Sequence, residues 1–65
     1  MKKKTLGEKI VYLRGIKDMS QESLAKKLNV RVATISRWEN NHNSPSFPML
    51  IRLANILGVK MDDLK

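Results

Sequence analysis

The chain has no cysteine, which excludes a disulfide framework and any thiolate metal site and suits it to a reducing cytoplasm. Its single histidine, His42, leaves a metal ion without the several ligands it requires. No apolar run approaches the ~20 residues that span a bilayer. Lys2, Lys3 and Lys4 are followed by Gly7, Glu8 and Lys9, where a secretory signal needs an apolar stretch. A Ser, His and Asp set and a phosphate-cradling glycine loop are both missing, and the adjacent Asp62 and Asp63 would point in different directions on a helix. Neither an enzyme nor a cofactor is therefore expected. Strand-like alternation and internal repeats are missing too, which removes β and solenoid architectures.

What is present is a short, basic, helix-periodic chain. Sixty-five residues with no break in composition read as one domain over 1–65, burying only roughly 60% of the surface that the unfolded chain exposes. Thirteen Lys and Arg against six Asp and Glu give a formal charge of +7, which favours an anionic partner and nucleic acid first. A membrane surface would also attract the charge, but the amphipathic anchor is lacking. Residues 1–4 form a basic N-terminal arm that is either simply solvated or laid on phosphates.

Apolar spacing and capping residues place the helices. Thr5 can cap a first helix to about Lys17, with Leu6, Ile10 and Leu13 on its inner face; Gly15 weakens it by about 1 kcal/mol relative to alanine. Ser20 caps a second, short helix whose buried face is Leu24, Ala25 and Leu28, and Glu22 lies favourably in its first turn. Asn29 tolerates the left-handed backbone that ends it, and Val30 follows as a buried turn residue. A third helix spans Val32 to Asn40. Ser46, with Pro48 just behind it, starts a fourth that stops at Gly58. The apolar residues of that fourth helix, from Phe47 to Leu57, cover roughly 220°, more than a surface helix needs, so it is either central or covered by a second subunit. Residues 62–65 add a last short turn, with Val59, Met61 and Leu64 giving further apolar cover.

At about 100° per residue the third helix has two distinct sides. Thr34, Ile35, Trp38 and Glu39 face inward. Val32, Ala33, Ser36, Arg37 and Asn40 face out, and a side this compact suits the major groove, which is about 12 Å wide and admits one helix. Val32 and Ala33 could meet thymine methyls, and Arg37 could present its planar fork to the N7 and O6 acceptors of guanine. Arg31 could touch a base or a phosphate. Ser36 and Asn40 can donate to bases or backbone, and Gln21 could clamp a phosphate at the positive end of the second helix. An ordinary solvent-facing helix also carries Arg, Ser and Asn; the net charge and the short preceding helix weigh toward DNA. His42 reads as an exposed loop residue or a phosphate contact. Glu39, beside Ile35 and Trp38, needs a partner, and Arg14 at the end of the first apolar face is the natural one, making a structural ion pair between first and third helices.

These residues resemble a known family. LGEKI at 6–10, Leu13 with Arg14, SQESLAKKLNV at 20–30, TISRWEN at 34–40 and SPSFPMLIRLANILGV at 44–59 are similar, in order and spacing, to the lambda-repressor/Cro-like (XRE-type) helix-turn-helix proteins. The likeness covers Leu6 to Leu64. The helical spacing makes the domain all-α, a compact bundle of four to five short helices; the resemblance implies five, with the second and third forming the helix-turn-helix and the third entering the major groove. It also implies a phosphate contact for Gln21, base reading by Val32, Ala33 and Arg37, backbone contacts from Thr34 and Asn40, and a phosphate-binding loop at Asn41, His42 and Asn43. Arg14 and Glu39 match the family's interhelical salt bridge. Three positions depart from the pattern. Arg31 stands where Ser or Thr usually caps the third helix, Asn41 replaces a glycine, and Val32 and Ala33 hydrogen-bond less than the usual Gln or Ser, shifting weight to Arg31, Arg37 and DNA shape.

The expectation is a cytoplasmic, repressor-like transcriptional regulator that binds double-stranded DNA without a cofactor, as a homodimer through its C-terminal half. Two alternatives stay open. One is the DNA-binding antitoxin of a toxin–antitoxin pair, with a protein partner; the other is a protein-interaction module on the same fold.

Overall fold

The computed structural model describes residues 4–64. These form five helices: α1 (Leu6–Ile16), α2 (Gln21–Leu28), α3 (Val32–Glu39), α4 (Phe47–Leu57) and α5 (Met61–Leu64). The described residues include no strand. Of the basic arm, residues 1–3 lie outside the described part. Lys4 places its ammonium 4.1 Å from the centre of the Tyr12 ring, a cation–π contact to the outer side of α1.

Capping explains where the helices start. Thr5 and Glu8 form a reciprocal box on α1: the Glu8 N–H donates to the Thr5 hydroxyl at 3.2 Å, and the Thr5 N–H donates to the Glu8 carboxylate at 2.9 Å. Those Thr5 donors hold the Glu8 carboxyl below its ordinary value. Ser20 accepts from the Ser23 N–H, and Ser46 from the Met49 N–H. Arg31 makes no side-chain cap bond on α3, as its identity implied. α1 ends at Ile16, one residue short of Lys17, and α3 at Glu39, with Asn40 as its cap.

The four longer helices all end in one way. After each comes a residue of positive φ, namely Asp18 (56°), Asn29 (58°), Asn41 (61°) and Gly58 (73°). The next amide then bonds back to a carbonyl of the last turn: Met19 to Arg14, Val30 to Ala25, His42 to Arg37 and Val59 to Ala54, at 2.9–3.0 Å. This is the Schellman arrangement, which satisfies the orphan carbonyls and folds the chain back sharply. Met19, Val30 and Val59 pack their side chains on the core, as the motif favours. Val30 is half-buried, not fully buried as its apolar character suggested, because this position lies at the rim of the core. His42 departs from the series, being polar and exposed.

Ile10, Leu24, Ala25, Leu28, Ile35, Trp38, Leu53, Ala54, Leu57 and Leu64 form one core. α3 packs on α1 and α2, while α4 joins α2 to α5. On α4 the buried strip is Leu53, Ala54 and Leu57, flanked by half-buried Met49, Leu50 and Ile56. Phe47 and Ile51 remain 60% and 40% exposed, so the apolar arc of α4 is wider than the part its own chain covers.

Candidate nucleic-acid interface

Two buried anchors set the orientation of α3. Ile35 is fully buried and Trp38 is 5% exposed, so the residues about half a turn away must face outward. Arg31, Val32, Ala33 and Arg37 are exposed, whereas Thr34 and Ser36 are half-buried. Val32 keeps 38% of its surface in water although it is apolar. Neither Arg31 nor Arg37 forms an ion pair or side-chain hydrogen bond among the described residues. Asn40 is exposed but turned onto its own helix, donating to the Ser36 carbonyl at 2.9 Å and the Ser36 hydroxyl at 3.4 Å. His42 and Asn43 are exposed in the loop that follows.

Behind this surface a polar cluster joins three helices. The Arg14 Nε donates to Glu39 Oε2 at 2.8 Å, and its Nη2 to Oε1 at 3.3 Å. Its Nη1 donates to the Met19 carbonyl at 2.8 Å, which ties the α1–α2 turn to the pair. Gln21 completes the set, donating from Nε2 to Glu39 Oε1 at 2.8 Å. The Glu39 side chain is 6% exposed and that of Arg14 19%, so the charges are largely desolvated, and such a pair is tolerable only because its donors and acceptors are matched. No buried side-chain polar atom among the described residues lacks a partner. The Arg14–Glu39 pair is where the sequence placed it. The role of Gln21 within it was not foreseen, because nothing in the spacing of 21 and 39 shows that the two helix ends meet.

A second contact locks the start of α1 to the end of α3. Asn41 accepts from the Gly7 N–H through Oδ1 at 3.0 Å and donates from Nδ2 to the Thr5 hydroxyl at 3.1 Å. Its carboxamide is thereby directed to α1, while the sequence had set it among phosphate contacts. Gly7 is buried against the last carbonyls of α3: a Cβ there would lie 2.7 Å from the Trp38 oxygen and closer still to that of Glu39. The sequence reading had no structural role for Gly7. The available signal was a glycine in the first turn of an otherwise apolar-periodic helix, a costly choice unless another backbone comes close.

The geometry is that of two short helices joined by a tight turn, the second presenting a compact basic side. A family model described as helix-turn-helix matches residues 10–64. The chain belongs to this helix-turn-helix family. It is 38% identical over 56 residues to an uncharacterized helix-turn-helix-type transcriptional regulator of Methanocaldococcus jannaschii, covering 86% of this chain and 85% of that one. Two further relatives are longer, and the chain spans 28% and 39% of them. Among solved structures, the P22 c2 repressor in complex with a synthetic operator superposes with a TM-score of 0.90 at 29% identity, over 95% of this chain and 94% of that one. SinR of Bacillus subtilis, in complex with DNA, matches at 0.84 with 30% identity, over 92% and 97%. The five helices are thus those of a lambda-repressor-like regulator domain.

Proposed function

We propose that this domain binds double-stranded DNA sequence-specifically and regulates transcription by occupying an operator, with α3 in the major groove. The observation that carries this reading is the outward side of α3: exposed Val32 and Ala33 beside an unpaired, exposed Arg37, opposite the buried Ile35 and Trp38. Val32 and Ala33 lie against thymine methyls, and Arg37 takes a guanine edge. Arg31, Thr34, Gln21, His42 and Asn43 contact the sugar-phosphate backbone. His42 is supported by its place in the chain: the equivalent residues after the other long helices, Met19, Val30 and Val59, are apolar and packed. Ser36 and Asn40 hold each other, and reach the duplex only by exchanging that bond. Asn41 acts from behind, as the tie that fixes the loop to α1.

Arg37→Ala tests this directly. On a duplex selected from a random library, the variant should lose about 1–3 kcal/mol of affinity and relax its preference at one base pair. Unchanged affinity with unchanged preference would favour a protein-interaction module in place of a DNA reader.

A second copy is proposed to join through the C-terminal half, supported by the exposed Phe47 and Ile51 on α4. Two copies would read half-sites about 34 Å apart. Replacing both residues by serine should lower affinity for a two-half-site duplex while leaving a single half-site unaffected; equal losses on both duplexes would remove the α4 dimer. A cytoplasmic location is consistent with the proposed function; separately, no helix among the described residues is long and apolar enough to cross a membrane.

A further inference from the structure

Gln21 is half-buried, and its nitrogen is committed on one side only. A carboxamide nitrogen carries two N–H bonds. One of them meets Glu39 Oε1 at 2.8 Å, which restrains the amide and leaves the second without a partner among the described residues. A free glutamine would have to be ordered at the moment of binding; this one is ordered on folding, and the entropic penalty no longer falls on the complex. The same carboxylate would repel a nearby phosphate if it stood alone. It does not, because Arg14 approaches it with Nε at 2.8 Å and Nη2 at 3.3 Å and cancels its charge locally.

We propose that Glu39 is a positioning residue for DNA binding: it holds the Gln21 carboxamide so that the second N–H of Nε2 meets a backbone phosphate, while Arg14 removes the repulsion. The proposal rests on the DNA-binding reading above and adds to it a coupling between a buried ion pair and a surface contact. It also makes a prediction of unusual sign. Removing a negative charge from a DNA-binding protein ordinarily tightens binding, whereas here the loss of the Glu39 charge must weaken it.

The test is a double-mutant cycle on a library-selected duplex, with wild type, Gln21→Ala, Glu39→Gln and the double variant, at a temperature where melting curves show each to be folded. Gln21→Ala should weaken binding about five-fold, the worth of one ordinary hydrogen bond. The slope of log affinity against log salt should stay unchanged, because a neutral donor releases no counterion. Glu39→Gln should weaken binding by a similar factor when Gln21 is present, and should leave binding unchanged or tighter, never weaker, when residue 21 is alanine. In the wild type, the side-chain amide resonances of Gln21, the chain's single glutamine, should shift when duplex is added. Glu39→Gln binding as well as or better than wild type, or purely additive losses, overturns the proposal. Should Glu39→Gln fail to fold, unmoved Gln21 amide resonances in the saturated wild-type complex overturn it equally, and a clear shift together with the Gln21→Ala loss supports it. If the wild type selects no duplex at all, the DNA reading itself falls, and the proposal with it.

Discussion

The meeting point of α1, α2 and α3 and the outer part of α4 are built differently. At the first, Arg14, Gln21 and Glu39 share one desolvated cluster, Asn41 bonds to Gly7, and α1 comes so close to the last carbonyls of α3 that only a glycine fits. At the second, Leu53, Ala54 and Leu57 are buried by ordinary apolar packing, and Phe47 and Ile51 are left in water. Hydrogen bonds are directional and apolar contacts are not. Directional contacts gather behind α3, which is what the proposed role of α3 requires, since a helix that reads bases must be held within a narrow range of positions. The rear of the domain is held by apolar burial, and it leaves Phe47 and Ile51 exposed.

If this contrast is right, the largest effect comes from breaking the polar cluster. Glu39→Ala removes the partner of the Arg14 Nε and Nη2 and of the Gln21 amide, leaving Arg14 only the Met19 carbonyl, and should cost about 3 kcal/mol or more, a fall in Tm of more than about 10 °C for a domain of this size. Melting within a degree or two of wild type would show that the cluster is not what holds α1 on α3. Next in size is Gly7→Ala, whose new methyl meets backbone that cannot turn aside; an overpacking cost of about 1–3 kcal/mol is expected, read by urea titration. Stability equal to wild type would mean that α1 can withdraw freely.

The other glycine of α1 sharpens the comparison by reversing the sign. Gly15 is exposed with nothing near the position of a Cβ, so Gly15→Ala should stabilise by about 0.4–1 kcal/mol through helix propensity and a less free unfolded chain. Destabilisation there would point to a close contact on the outer side of α1. The smallest effect belongs to Glu8. Its folded-state pKa is lowered by the Thr5 donors, so its contribution is present above its ordinary value of 4.5 and is lost as pH falls through the depressed value. Glu8→Gln should therefore flatten part of the acid limb of stability against pH while changing little at neutral pH. An unaltered acid limb argues that the capping box does not titrate.

Much of the fold was legible because it depends on near neighbours. Thr5, Ser20 and Ser46 cap helices within four residues, and Asn29 and Gly58 end them for reasons of their own backbone. The anchors Ile35 and Trp38 follow from a period of about 3.6 residues, and with them the outward side of α3. Asp18 was less legible: aspartate can adopt positive φ but is not committed to it, and the turn after α1 depends on the Arg14 carbonyl receiving Met19. The Arg14–Glu39 pair was found by asking what a carboxylate beside Trp38 requires.

The order of apolar and capping residues by itself determined an all-α domain, the capped starts of α1, α2 and α4 and the compact basic side of α3, since each depends on contacts within a few residues of the chain. Only the tertiary structure decided that Gln21 completes the Glu39 cluster, that Asn41 turns from the loop to Gly7, and that Phe47 and Ile51 stay uncovered. Those three outcomes depend on how close separate helices come, at distances of a hydrogen bond or a methyl group, and no pattern along a single chain encodes that separation.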